Sequence, residues 1–155
     1  MGADALEKRS ISFVLREPGG SGRVLAVQRP PDDEDLPNAW GLPAGSLREG
    51  ESWQDAVRRA GREKLNVEVE PVRVLREGAL ERRGRRLRMR LYEARVVAGA
   101  PTVPGRARDV TQYAAWEWAE PERFRPAAQQ GSLCCRLWLD AAGLTDAADP
   151  GFTRG

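Results

Sequence analysis

Several segments of the chain are apolar, or alternate apolar and polar residues with the two-residue period of a strand. They are residues 11–16, 24–27, 67–74, 79–97 and 113–118. Turn-forming residues separate the first two segments, which predicts a hairpin, and the fourth is long enough for a hairpin that turns near Gly84. Proline and small or acidic residues predict loops at residues 29–38 and 98–109.

Helix-capping residues and the spacing of apolar residues predict two helices. Ser52 and Asp55 resemble a capping box, which begins a helix over residues 53–65. Asn66 follows this helix and suits the left-handed conformation that often ends one. A second amphipathic helix is predicted over residues 133–142.

Together these elements predict an α/β domain over residues 9–144, with a mixed sheet between helical layers. Pro121 also fits the first turn of a helix. Residues 145–155 are predicted to form a flexible C-terminal tail. The chain has 155 residues, of which 41% are hydrophobic, so it suits one compact domain and is too short for two.

Charge and composition narrow the classes of function. The 25 Lys and Arg residues and 23 Asp and Glu residues give a formal net charge of +2, so no overall field favours nucleic acid or a membrane. Histidine is absent, which excludes Ser-His-Asp triads and histidine-containing zinc sites and leaves acid–base chemistry to carboxylates. The adjacent Cys134 and Cys135 do not suit a disulfide to each other, and no segment is apolar enough to span a membrane. We therefore expect a cytoplasmic protein.

One local charge patch stands out between residues 73 and 95, where nine arginines occur with three glutamates. Its arginines alternate with apolar residues along a predicted strand and so form a cationic stripe on one face. The stripe residues are Arg86, Arg88 and Arg90. Two interpretations remain open: a solvated strand face in an arginine-rich chain, or a surface that binds the phosphates of a nucleotide or of nucleic acid.

The segment GSLREGE at residues 45–51 is followed, after seven residues, by RAGREKLNV at residues 59–67. Together they resemble the Nudix box, Gx5Ex7REUxEExGU. The matching positions are Gly45, Glu51, Arg59, Glu63 and Val67. Trp-Gly-Leu-Pro at residues 40–43 is also characteristic of the approach to that box. The resemblance implies the Nudix fold, an α/β/α sandwich with a mixed sheet.

The resemblance also implies an activity, which is hydrolysis of a nucleoside-diphosphate-linked small molecule by metal-activated water. In the family a loop and a helix hold divalent cations against a diphosphate. Carried over to this chain, Mg²⁺ or Mn²⁺ would be held by Glu63 together with Glu51 or Glu49, and Glu63 would also be catalytic. Glu63 equally suits a solvated helix carboxylate that pairs with Arg59, four residues earlier. Arg59 and Glu51 match a pair that braces the loop against the helix, and Gly45 begins the box.

Two positions of the box depart from the family pattern, because Ala60 and Lys64 stand where glutamates are expected. Alanine has no ligand atom, and a lysine ammonium repels a cation. We therefore expect the metal site to be weak or lost and the hydrolytic activity to be weak or unusual. The alternative is a noncatalytic Nudix-fold module that binds a nucleotide, RNA or a protein partner. Two interpretations of Lys64 are open: an exposed helix residue, or a contact to a ligand phosphate in place of the cation.

Further candidates lie outside the box. Asp109 occupies a loop in which many Nudix enzymes place an acidic catalytic base, although it also suits a plain loop aspartate. Trp40 is the best candidate among the five tryptophans for stacking on a base. The arginine stripe would clamp phosphate. Binding of nucleic acid is less favoured than binding of a nucleotide, and a homodimer is left open.

Overall fold

The computed structural model describes residues 7–82, 84–103 and 113–144. Its strands are β1 (Glu7–Val14), β2 (Val24–Gln28), β3 (Trp40–Gly41), β4 (Ala44–Ser46), β5 (Glu68–Arg82), β6 (Arg85–Ala98) and β7 (Ala115–Ala119). Its helices are α1 (Trp53–Leu65), α2 (Arg125–Gln129) and α3 (Leu133–Ala141). A short 3-10 turn at Pro121–Phe124 begins at the proline for which a first helical turn is predicted. It precedes α2, which the sequence pattern does not predict. None of the helices within these ranges is long and apolar enough to cross a membrane.

Two sheets form the centre of the molecule. The larger sheet has the strand order β4-β1-β6-β5, and the smaller has the order β3-β2-β7. Because β1 runs parallel to β6 and antiparallel to β4, the larger sheet is mixed. This arrangement confirms the predicted α/β fold with a mixed sheet.

Apolar residues fill a core on each side of the sheets. Neighbouring residues of a strand point to opposite faces, and Phe13 and Val14 of β1 accordingly belong to different cores. The core around Phe13 includes Val57 and Leu65 of α1, and the core around Val14 includes Leu137 of α3. Helices therefore cover both faces, as an α/β/α sandwich requires.

The predicted hairpin of the first two strands exists only close to its turn. Arg16 and Val24 form an antiparallel bridge, and the Leu25 amide donates to the Leu15 carbonyl at 2.9 Å. Beyond this point β1 pairs with β4 and β6, whereas β2 pairs with β3 and β7. The two strands diverge because each is buried and takes partners from a different sheet.

The strand predicted at residues 67–74 and the hairpin predicted at residues 79–97 are one continuous structure. β5 pairs with β6 along its whole length, and Gly84 makes the turn with a φ of 75°. Irregularities in the register occur between Pro71 and Arg73 and between Val74 and Arg76. Such bulges interrupt the two-residue period, which explains why the sequence pattern divides this strand.

Helix α1 begins and ends where its capping residues predict. The Ser52 hydroxyl accepts a hydrogen bond from the Asp55 amide at 3.0 Å, and Asn66 adopts the left-handed conformation with φ 52° and ψ 44°. Gly61 lets β5 approach the helix, because a Cβ at this position would lie 2.7 Å from Val69 Cγ2. The helix carrying the second half of the box is thereby held against the larger sheet.

Candidate functional site

β4 and α1 bring the two halves of the box together, and Arg59 joins them. Arg59 Nε lies 2.8 Å from Glu51 Oε2, and Arg59 Nη2 lies 2.9 Å from Glu51 Oε1 and 2.7 Å from the Ser46 carbonyl. These hydrogen bonds from Arg59 hold the pKa of the Glu51 carboxyl below its ordinary value. The loop and the helix are therefore fixed to each other by a charged, partly buried pair.

Glu63 lies on the same face of α1 and is shared by two arginines. Arg59 Nη1 donates to Glu63 Oε1 at 3.1 Å, and Arg48 Nη2 lies 3.1 Å from Glu63 Oε2. Both carboxylate oxygens thus accept from guanidinium groups. Glu49, the other candidate metal ligand of the loop, is exposed.

Lys64 occupies the junction between the box helix and the loop. Its ammonium donates to the Ala44 carbonyl and lies 5.5 Å from the centroid of the Tyr113 ring. The Tyr113 hydroxyl in turn accepts from the Ala44 amide at 3.1 Å. Ala60 is fully buried one turn earlier, and a Cβ added to Gly45 would lie 3.6 Å from its methyl group.

These residues do not fit the divalent-cation site that the resemblance implies. Within the described ranges, no group of three or more His, Cys, Asp or Glu side chains is placed to hold a metal ion. Ala60 offers no oxygen, Lys64 adds a like charge, and Glu51 and Glu63 are bonded to arginines. Asp109, the candidate catalytic base, lies outside the described residues.

The arginine stripe lies beside the first residue of α1. Arg88 and Arg90 both donate to Glu77, at 2.7 and 3.0 Å, and the Arg90 guanidinium lies 4.3 Å from the Trp53 ring centroid. Arg86 lies 3.8 Å from Glu7. Trp53 precedes Glu63 by ten residues, or about 15 Å along the helix. Much of the stripe is therefore neutralised, and it flanks the opposite end of α1 from Lys64.

Two cavities beside tryptophans differ in whether their volume can hold a nucleobase. The one beside Trp40 and Tyr113 has a volume of about 10 Å³, and the Arg123 guanidinium lies 4.9 Å from the Trp40 ring centroid. The second has a volume of about 570 Å³, within the range of ordinary ligand pockets. It is lined by Trp116 and Trp118, whose rings meet edge to face with centroids 5.5 Å apart.

The larger cavity exists because the two sheets diverge. It lies between the end of β6, the residues that follow β1 and the strand β7, and Arg16 and Arg95 lie on its rim. The loop that closes it is tied to the box helix, because the Thr102 amide donates to the Leu65 carbonyl at 2.9 Å. The two-residue spacing of Trp116 and Trp118 predicts a shared face, but only the tertiary structure shows that a cavity adjoins that face.

The chain is similar to proteins of one family in both sequence and fold. A family model described as the NUDIX domain matches residues 6–136. A NUDIX hydrolase from Nitrosomonas europaea has a similar structure, with a TM-score of 0.68, 20% identity, and coverage of 92% of this chain and 94% of that chain. For the E. coli ORF135 protein the values are 0.65, 21%, 93% and 94%. For an ADP-ribose pyrophosphatase from Streptococcus suis they are 0.58, 17%, 87% and 91%. A search of curated protein sequences finds no match.

Proposed function

The chain belongs to the Nudix family, and from this premise we propose that it binds a nucleoside-diphosphate-linked compound and hydrolyses it slowly. Such hydrolysis adds water across the P–O–P bridge and yields two phosphate monoesters. One observation carries the proposal: Arg59 still joins the box loop to its helix, while Lys64 places an ammonium where the family has a carboxylate. A scaffold for a diphosphate is retained, and the set of metal ligands is reduced.

The local charge supports binding of a diphosphate. With the exposed Glu49 of the loop counted, cationic and anionic side chains balance at the box. Three cationic side chains and two further anionic ones meet there. They are Arg48, Arg59, Lys64, Glu51 and Glu63. A site that bound Mg²⁺ tightly would instead carry excess negative charge before the cation arrived. The box therefore lacks the excess negative charge of a tight Mg²⁺ site, and its ammonium at Lys64 is available to an anion.

The same contacts account for slow hydrolysis. Mg²⁺ or Mn²⁺ would have to compete with Arg48 and Arg59 for the oxygens of Glu63, and Glu51 is already engaged by Arg59. We therefore expect low occupancy by either ion at Glu63, Glu51 and Glu49, and turnover far below that of relatives that keep all the box glutamates.

The larger cavity supplies a place for the base. Trp116 and Trp118 present aromatic surface within about 570 Å³, whereas the space beside Trp40 is about the size of one water molecule. Stacking on tryptophan tolerates every base, because each base has a π-face. We therefore assign the base to Trp116 and Trp118 and not to Trp40.

The test is chromatographic detection of products from a panel incubated with Mg²⁺ or Mn²⁺. The panel contains ADP-ribose, other nucleoside-diphosphate sugars, dinucleoside polyphosphates and nucleoside triphosphates. ADP-ribose is included because one similar structure is named an ADP-ribose pyrophosphatase. We expect slow turnover of at least one compound, and a rise on the order of 100-fold in Ala60→Glu/Lys64→Glu, since a correctly placed metal contributes several kcal/mol to such a reaction.

Glu63→Gln in the restored background is the matched control, because it removes one carboxylate charge and leaves the two added glutamates. It should abolish the gained turnover. The single variant Lys64→Glu is measured in parallel, since Ala60 is fully buried and a glutamate there costs stability. A restored, folded protein that neither binds nor turns over any compound of the panel would contradict the proposed function.

A further inference from the structure

We infer that Lys64 binds the diphosphate of the ligand in place of a divalent cation, so that ligand binding needs no metal ion. This inference rests on the proposed function and concerns the same site. The Lys64 ammonium neutralises phosphate charge, as a metal ion does in relatives. Binding of the ligand then needs no metal ion, whereas hydrolysis still does.

The position of the ammonium supports direct contact with a ligand. A lysine ammonium has three N–H donors, and within the described ranges Lys64 makes one hydrogen bond, to the Ala44 carbonyl. Its location between the loop and the helix is fixed by that bond and by the Tyr113 ring, 5.5 Å away. Donors therefore remain for phosphate oxygens at the junction that joins the two halves of the box.

Among the described residues of the box, Lys64 is the cation that makes no ion pair with a carboxylate. Arg59 forms ion pairs with Glu51 and Glu63, and Arg48 forms one with Glu63. No carboxylate among the described residues lies within ion-pair distance of the Lys64 ammonium. Because an unpaired, partly buried cation is costly, an anionic ligand that pairs with it gains free energy on binding.

Gly45 and Ala60 are the small residues that adjoin this charge and each other. A Cβ at Gly45 would lie 3.9 Å from Lys64 Nζ and 3.6 Å from the Ala60 methyl group. The substitutions at positions 60 and 64 therefore act together: a small apolar side chain replaces one carboxylate, and a long cationic side chain replaces the other. The pair converts a place for a cation into a place for an anion.

The experiment measures the dissociation constants of ADP, GDP, CDP and UDP by calorimetry, once in EDTA and once in excess Mg²⁺. We expect at least one of them to bind in EDTA at least as tightly as in excess Mg²⁺, because Mg²⁺ chelates the free diphosphate and lowers its charge. Lys64→Met should raise the constant in EDTA by at least tenfold. Lys64→Arg, which keeps a cation, should recover part of the affinity, and Lys64→Glu should make binding depend on Mg²⁺.

Lys8→Met is the matched control, because Lys8 is the only other lysine of the chain and is exposed on β1. It removes the same charge and should leave the dissociation constants unchanged. Binding that occurs only with Mg²⁺, or equal losses in Lys64→Met and Lys8→Met, would overturn the inference while the proposed function stands. Failure of all four nucleotides to bind in both conditions would also overturn the inference, whereas the proposed function is decided by the panel of linked compounds. The comparison of EDTA with Mg²⁺ uses the unaltered chain and does not depend on how the variants fold.

Discussion

Arg59 contributes to stability as well as to the shape of the site. Its guanidinium bonds to two carboxylates and one carbonyl, and its side chain is only 12% exposed, with 14% for Glu51. We expect Arg59→Gln to lower the free energy of unfolding by about 2 to 3 kcal/mol, because the nearly buried Glu51 carboxylate loses its charged partner. Urea unfolding at neutral pH measures this change.

Arg58→Gln is the control for that prediction, since it makes the same chemical change at the preceding position of α1. Arg58 also bonds two carboxylates, Asp55 and Glu70, but these groups face solvent, where an ion pair contributes little. Its effect should therefore be clearly smaller. Equal losses of stability in the two variants would show that the brace at Arg59 does not differ from a surface ion pair.

Single residues were predictable where their effect is local. Ser52 and Asn66 cap α1 through contacts within a few residues, and the caps appear at the predicted positions. The surroundings of Lys64 were not predictable, because Ala44 belongs to β4 and Tyr113 lies two residues before β7, both far from Lys64 in sequence. Sequence shows that a charge is reversed at this position, and tertiary structure shows what the new charge touches.

At the scale of elements, substitutions in β7 and β3 test whether the nucleobase stacks on Trp118 or on Trp40. We expect Trp118→Leu to raise the dissociation constant of the tightest-binding nucleoside diphosphate by about tenfold, because base stacking on an aromatic side chain contributes about 1 to 3 kcal/mol. Trp40→Leu should have a much weaker effect, since the cavity beside it holds about 10 Å³. Calorimetry of both variants checks this. A larger loss of affinity in Trp40→Leu would show that the nucleobase stacks on Trp40, before the box, and not on β7.

The helices and strands could be predicted from the spacing of apolar residues, except where the backbone is irregular or an element is very short. The type and ends of α1 were predictable because its caps and apolar face agree. β5 was divided into two predicted segments, since register shifts near Pro71 and Val74 break its alternation. α2 has five residues, which is too short to show a helical period.

At the scale of the whole molecule, pairing between distant strands created what the sequence did not show. β1 pairs in parallel with β6, so that Ser10 lies opposite Met89 and Ile11 opposite Arg90. A parallel pair needs a long connection, and no local pattern identifies its partner. The divergence of β1 from β2, and with it the cavity lined by Trp116 and Trp118, is a consequence of this choice of partner.

Ion pairs distributed over the molecule predict how its stability depends on pH. Hydrogen bonds from Arg59 lower the pKa of Glu51. Partial burial by itself raises the pKa of Glu77 and Glu93, but hydrogen bonds from Arg88 and Arg90 to Glu77 outweigh it, as do those from Arg16 and Arg73 to Glu93. In each case the folded state favours the ionised carboxyl, so these groups stabilise the fold when they are charged.

A carboxyl with a lowered pKa in the folded state contributes stability that is complete above its unfolded pKa, about 4.3 for glutamate. This contribution is lost as the pH falls through the lowered folded value. Protonation of the 23 acidic residues also leaves 25 Lys and Arg residues to repel one another. We therefore expect the free energy of unfolding in urea to fall steeply below about pH 4. Arg59→Gln should show a shallower fall, because its Glu51 no longer has a charged partner to lose. Parallel profiles for the two proteins would contradict the assignment of this acid-sensitive stability to the brace.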